Sequence, residues 1–208
     1  NSSYLYAVWT ATVPAGTTIS NYEYAVGTGN SQQQITGIIG WTTWYVVMIG
    51  QTPGYVTVVT NPVTGQSLSL EDGRTYYMGV RAKSIVGIYS DMMVTNGITI
   101  DISTPVSGRP IDGGQYTSTT VMTFTWPGVD PVPTGGTESG ISAYYVSIGT
   151  EANISVPVII DTTTETTYTY YVGQQGKTNY ARVRCIDVSG NISSNSAVSD
   201  GETVDMTV

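Results

Sequence analysis

Fifteen carboxylates carry almost all the chemistry this 208-residue chain can offer, because it contains no histidine and one cysteine. Without imidazole the commonest general base and metal ligand is missing. Cys185 alone can form neither an internal disulfide nor a thiolate zinc cluster. What remains is paired work by Asp and Glu, the arrangement glycoside hydrolysis uses when two carboxyl groups face each other across a cleft. The candidates are Glu71-Asp72, Asp130 with Glu138, and Asp161 with Glu165. They fall in a turn, a Pro/Gly-rich loop and a threonine run, where turn formers and solvated charges are the simpler expectation. Walker, Rossmann, zincin and nucleophile-elbow patterns are absent, so no catalytic residue and no enzymatic activity is expected.

The same oxygens could serve a hard cation, since calcium takes several Asp, Asn and carbonyl ligands from loops. Asp187-Val188-Ser189-Gly190-Asn191 and the junction residues Asp101 and Asp205 are the places for it, although no EF-hand spacing occurs. The plainer expectation there is a tight turn using Gly and Asn, and no cofactor other than calcium is expected. For sugars the relevant groups are aromatic faces. Trp41, Trp44, Tyr45 and Tyr55 are the binding or interface candidates, with Tyr77, Tyr145, Tyr170, Tyr171 and Tyr180 as tyrosines that alternation allows to face outward. Three N-x-[ST] triplets, at Asn1, Asn153 and Asn191, are potential glycan acceptors.

The elements that must position these groups are strands. The chain has 33 Thr, 20 Ser, 16 Tyr and 24 Gly but three Leu, a composition that favours pleated sheet over helix. Charged residues make up 11% and the net charge is −8, which leaves nothing to neutralise a run of phosphates and argues against nucleic acid. No 18-residue apolar run exists, so no membrane insertion is expected. The low charge, the two lysines and the abundant Ser, Thr and Tyr resemble secreted or cell-surface β-proteins.

An internal repeat fixes the organisation before any strand is assigned. Ile19-Ser20-Asn21-Tyr22-Glu23-Tyr24-Ala25-Val26-Gly27-Thr28 returns as Ile141-Ser142-Ala143-Tyr144-Tyr145-Val146-Ser147-Ile148-Gly149-Thr150, and 73–82 returns as 176–185. Both copies close with Gly-x-x-x-Asp, at Gly97 to Asp101 and Gly201 to Asp205. The boundary falls at Thr104-Pro105, giving modules 1–104 and 105–208. Period-two alternation puts Leu5, Ala7 and Trp9, then Tyr22, Tyr24 and Val26, then Tyr76, Met78, Val80 and Ala82 on inward faces. Their counterparts are Met122, Phe124 and Trp126, then Tyr144, Val146 and Ile148, then Asn179, Ala181, Val183 and Cys185. Arg81 and Arg184 point outward as solvated positions, and Cys185 is an inert buried thiol. The pattern predicts an all-β fold of two tandem antiparallel β-sandwich modules.

Leu70-Glu71-Asp72-Gly73-Arg74-Thr75-Tyr76-Tyr77-Met78-Gly79-Val80-Arg81-Ala82 resembles the fibronectin type III signature, in which a Leu, a turn, a Thr and a corner Tyr lead into an alternating strand. The resemblance covers both copies, and the Gly97–Pro105 stretch is similar to joints between repeats of large bacterial surface proteins. It implies a binding or spacing module. The copies differ in three ways. Tyr76 is replaced by Asn179, which removes the hydroxyl that bonds back to nearby backbone. Copy one carries about 19 extra residues near 41–66, expected to form a hairpin of 44–49 with 55–59. It also lacks about 13 residues, the length of a first strand, before Trp9.

The expected function is therefore a non-catalytic extracellular or cell-surface repeat segment acting as spacer, adhesive or assembly module. Its partners would be neighbouring modules of the same or another copy of the chain, and glycans. A self-assembling subunit of a surface filament or layer, completed by strand complementation, is the alternative. A carbohydrate-binding accessory module is the third.

Overall fold

A computed structural model of the chain describes residues 4–9, 15–44, 54–58, 66–171 and 174–207. It contains two compact units, Asn1–Asp101 together with Thr134–Thr137, and Ile102–Pro133 together with Glu138–Val208. Every regular element among the described residues is a strand.

In the first unit the strands are β1 (Leu5–Trp9), β2 (Ile19–Gly27), β3 (Ile39–Trp44), β4 (Gly54–Val58), β5 (Thr75–Ser84), β6 (Met93–Val94) and β7 (Ile98–Thr99). β1 pairs antiparallel with β4, and a second sheet runs β3-β2-β5-β6 with β7 also on β5. The second unit contains β8 (Val106–Ser107), β9 (Tyr116–Thr117), β10 (Met122–Thr125), β11 (Gly128–Val129), β12 (Ile141–Gly149), β13 (Ile159–Thr163), β14 (Thr167–Tyr170), β15 (Thr178–Asp187) and β16 (Glu202–Val204). Here β10 pairs with β14, β11 with β8, and the large sheet runs β13-β12-β15-β16-β9. Among the described residues β8 and β9 have no counterpart in the first unit.

The repeat in sequence is a repeat in register. β2 pairs β5 with Tyr22 opposite Ala82, and β12 pairs β15 with Tyr144 opposite Cys185. Both pairs slip by one residue at the same place, between Ile19 and Asn21 and between Ile141 and Ala143. A bulge there turns a pair of carbonyls out of the ladder. The repeated serine answers both: Ser20 donates to the Lys83 and Ser84 carbonyls, and Ser142 to those of Ile186 and Asp187. The inward faces follow the expected alternation, with Trp9 edge-on to Tyr22 at 5.5 Å and Trp126 edge-on to Tyr144 at 5.8 Å. The cores gather Leu5, Tyr24, Met78 and Ile100 between β1-β4 and the β2 sheet in one unit, and Phe124, Val146, Tyr170 and Val183 between β10-β14 and the large sheet in the other.

The corner residues behave as their chemistry requires. Tyr76 is buried and its hydroxyl accepts from the Glu71 backbone N–H at 2.8 Å. Asn179, equally buried, cannot reach that far and donates instead to the Lys177 carbonyl at 3.2 Å. The closing Gly-x-x-x-Asp also has a physical cause. Gly97 and Gly201 have φ of 88° and 93°, and a Cβ on either would strike the ring of Tyr77 or Tyr180 at 2.7 and 2.4 Å.

Of the extra residues of copy one, the described part is β4, which pairs with β1. β3 and β4 occupy the places of β13 and β14, β3 beside β2 and β4 beside β1 in the other sheet, so the described strand of the expected hairpin is used as a sandwich strand. The partner expected for it, 45–49, lies outside the described residues.

Cys185 is fully buried on the inward face of β15, where loss of water pushes its thiol up from the ordinary range, against a smaller downward pull from the hydroxyls of Ser107 and Ser193. A thiol reagent is therefore expected to react about a thousandfold or more slowly with the folded chain than with the chain in denaturant. Labelling kinetics across a urea series measure this, and prompt labelling of the native protein would show that the strand is not closed.

Candidate functional site

The carboxylates do not converge on a cleft. Glu71 is taken by an exposed ion pair with Arg74. Asp161 accepts from the Tyr168 hydroxyl at 2.8 Å and the Thr162 N–H at 2.7 Å, which holds its carboxyl below the usual range. Glu138 and Glu165 are exposed. Asp130 and Asp187 are brought together inside the second unit with carboxylate oxygens within 4.8 Å, but both are buried away from any substrate. Asp130 accepts from the Gly140 N–H at 2.7 Å.

The calcium candidates sort in the same way. Asp187 accepts from both the backbone and the side-chain nitrogen of Asn191, each at 2.8 Å, closing a turn in which Gly190 has φ of 90°. Asp205 is exposed, and Thr207 and Gln175 hold it below the usual carboxylate range. Asp101 is buried at the end of the first unit. Of the glycan acceptors, Asn153 is exposed, whereas the amide nitrogen of Asn191, the atom a glycan would take, is the one donated to Asp187. Asn1 lies outside the described residues.

Sequence reasoning passed over Glu202. It is buried beside Asp112, whose carboxylate also receives the Gly201 N–H at 3.0 Å, and burial raises the Glu202 carboxyl pKa, opposed by a hydrogen bond from the Gly113 backbone and reinforced by Asp112. A raised folded-state pKa means that the folded chain holds the proton more tightly than the unfolded one. Its stabilising effect is complete below the unfolded carboxyl range and is lost as pH rises through the folded value. Glu202→Gln is expected to flatten that part of the stability–pH curve and to raise the denaturation midpoint at neutral pH. Urea melts of both proteins from pH 4 to 8 check it, and an unchanged slope would refute it.

The aromatic candidates lead to the other face. Trp41, on β3, is half-buried because Arg81 of β5 stacks on its ring at 4.1 Å, with Tyr89 stacked on the same guanidinium at 4.1 Å. Glu23 of β2 completes the set. Its Oε2 accepts from Arg81 Nε at 2.9 Å and Nη2 at 2.6 Å, and its Oε1 accepts from the Tyr89 hydroxyl at 3.0 Å. Arg81 is thus not the solvated position that alternation suggested; it is a flat cation stacked on two rings and paired with a buried carboxylate. Arg184 does stay exposed, donating to the Ser193 carbonyl. Trp44 stands opposite Tyr22 in the β2–β3 pairing and Tyr55 opposite Val8 in the β1–β4 pairing, while Tyr45 lies outside the described residues. Tyr170, expected outward, is 5% exposed and belongs to the second core, because β14 turns that residue toward Met122 of β10. Tyr171 remains on the surface.

Beside the Arg81 stack the first unit is open. A groove of about 920 Å³ runs between β1 and the 85–95 segment, floored by Trp9, Tyr22, Val80 and Ala82. Its rim is apolar and bare: Val86 and Met93 are 75% and 73% exposed, with Ile85, Ile88 and Val8 also exposed. Concave apolar surface of this size with a few polar groups at one end is where ligands bind.

No family model matches the chain, and no curated protein sequence matches it. Among solved structures, a crystal structure of consecutive domains from titin aligns over 98% of this chain with a TM-score of 0.55 and 16% identity. The fold is fibronectin type III-like. The chain spans 60% of that titin structure. Fibronectin(III)-like modules of Clostridium thermocellum CbhA align over 98% of this chain and 86% of their own, with a TM-score of 0.41 and 13% identity. At these identities the likeness concerns the fibronectin type III-like fold alone. Among the described residues no helix is long and apolar enough to cross a membrane.

Proposed function

We propose that the chain is a non-catalytic segment of tandem fibronectin type III-like modules from an extracellular or cell-surface protein, acting as a spacer, adhesive or assembly module rather than by chemistry. One observation carries this reading: Glu71 is held in an exposed ion pair and Asp130 and Asp187 are buried, so the candidate acids do not face one another across a cleft, while the first unit presents an open apolar groove. Low charge and a Ser/Thr/Tyr-rich surface suit an exterior location, and function in such modules resides in exposed edges and loops. The test is mass by light scattering over a concentration series, alongside a panel of polysaccharide and glycoside substrates. A constant mass near 22.1 kDa with no turnover is the expected result. Regular fibres growing with concentration would make the chain a self-assembling filament subunit, and hydrolysis of any substrate would overturn the non-catalytic reading.

A further inference from the structure

The outer face of the large sheet in the second unit carries two arginines without a counter-charge, and the duplication shows where that charge belongs. β15 alternates, so Val183 and Cys185 turn into the core while Arg182 and Arg184 share the opposite face, about 6.8 Å apart along the strand. In the register of the sheet Tyr145 of β12 stands beside Arg184, with Thr162 of β13 beyond it. Ser147 stands beside Arg182, with Ile160 beyond, and Gly149 stands beside Tyr180 in the next row.

Arg184 is the counterpart of Arg81. Ala82 falls at Cys185 and Tyr22 at Tyr144, so Arg81 falls at Arg184, Gly79 at Arg182 and Glu23 at Tyr145. In the first unit the framework thus sets a carboxylate next to this guanidinium, and Glu23 accepts from Nε and Nη2 of Arg81 at 2.9 and 2.6 Å. In the second unit the guanidinium is kept, another is added where the first unit has a glycine, and the carboxylate has become a phenol. Trp41 and Tyr89, which stack on Arg81, correspond to Ile160 and Ile192, which offer no ring face, and Arg184 is exposed.

Neither arginine is neutralised from within the chain. Among the described residues the ion pairs are Arg74 with Glu71, Arg81 with Glu23 and Arg109 with Asp200. Arg184 gives Nε to the Ser193 carbonyl at 3.0 Å, and Arg182 gives Nη1 to the Asn153 carbonyl at 3.4 Å while its Nε is buried without a hydrogen-bond partner. Two such cations side by side invert the charge locally on a chain of net charge −8, and the planar guanidinium is the group best matched to a carboxylate. Around them the face offers side chains and no main chain. β12 is bonded on both sides, by β13 and β15, and the far side of β15 is bonded by the 193–199 segment. A peptide laid over the arginines could not add to a ladder, which is what gives a peptide strand its affinity. What surrounds the cations is the hydroxyls of Ser147 and Thr162 and the half-buried rings of Tyr145 and Tyr180, groups suited to a hydroxylated ring.

We propose that this face of the second unit binds an acidic polysaccharide, with Arg182 and Arg184 taking carboxylates carried by its sugar units and Tyr145 and Ser147 contacting the sugar rings. The proposal rests on the adhesive part of the reading above and names a ligand class for it.

Polygalacturonate is titrated by calorimetry into the full 208-residue chain, against neutral dextran, dextran sulfate and poly-glutamate. Saturable binding of polygalacturonate that weakens with added salt is expected, with none to dextran and weaker binding of the other two polyanions. Arg184→Gln is expected to weaken it about tenfold or more, the loss of one charge-assisted pair. Tyr145→Glu returns the first unit's carboxylate to the position beside Arg184. It is expected to abolish binding while the melting temperature holds or rises, which separates lost affinity from lost fold. The proposal is overturned by no heat with polygalacturonate, by equal binding of dextran, or by binding that survives both variants. It is also overturned by equal or tighter binding of poly-glutamate or dextran sulfate, because the ligand is then an acidic polypeptide or a sulfate ester. Absence of binding leaves the non-catalytic reading standing, whereas cleavage of polygalacturonate would overturn that reading.

Discussion

Phe124→Ala is expected to cost about 3–5 kcal/mol, the largest loss from any single side chain discussed above. Phe124 is the one phenylalanine in the chain and is wholly buried, packed among Met122, Trp126, Tyr144 and Val183 where the β10–β14 pair meets the large sheet. Truncation removes the apolar area and leaves a cavity that two hydrogen-bonded sheets cannot collapse to fill. A domain of this size is stable by roughly 5–15 kcal/mol, so the second unit would be left close to unfolding. Hydrogen exchange locates the effect. Amides of β12 and β15 should lose most of their protection while those of β2 and β5 keep theirs, and retention of β15 protection would show that the core is not organised around this ring.

Arg81→Ala is expected to cost about 3 kcal/mol, the low end for breaking a buried ion pair, because the Arg81 side chain keeps 20% exposure. The loss has two sources. Glu23 is left 8% exposed with the Tyr89 hydroxyl as its remaining side-chain partner, and Trp41 and Tyr89 lose the guanidinium that spaces them. Arg81→Lys is expected to recover less than half of it, since an ammonium cannot stack flat on two rings while two of its N–H groups converge on one carboxylate oxygen in the way Arg81 Nε and Nη2 do. Urea denaturation of both single variants, of Glu23→Ala and of the double variant measures the coupling. Additive losses would mean that the pair contributes nothing beyond its separate contacts.

Both predictions bear on how much of this molecule its sequence discloses. Phe124 was legible at once. In a strand, side chains alternate between faces, so the spacing of Met122, Phe124 and Trp126 states their burial without reference to anything distant. The repeat extended that reading, because identical spacing in Ile19–Thr28 and Ile141–Thr150 imposes the same register, the same bulge and the same serine answering it. Arg81 was not legible. Its neighbours on the strand predict an outward side chain, which it is, but whether outward means water depends on Trp41 and Glu23, brought alongside by β3 and β2.

Composition and periodicity thus determined the all-β class, the duplication, the inward residues and the buried thiol, since each follows from local geometry repeated along one strand. Tertiary structure alone decided the rest. It placed β4 in the sheet of β1, put Tyr170 in a core and joined Asp187 to Asn191. Those outcomes depend on which segments lie side by side. A strand's sequence encodes which of its faces is apolar, but only the neighbours that arrive from elsewhere in the chain decide whether that face, or the edge beside it, is covered.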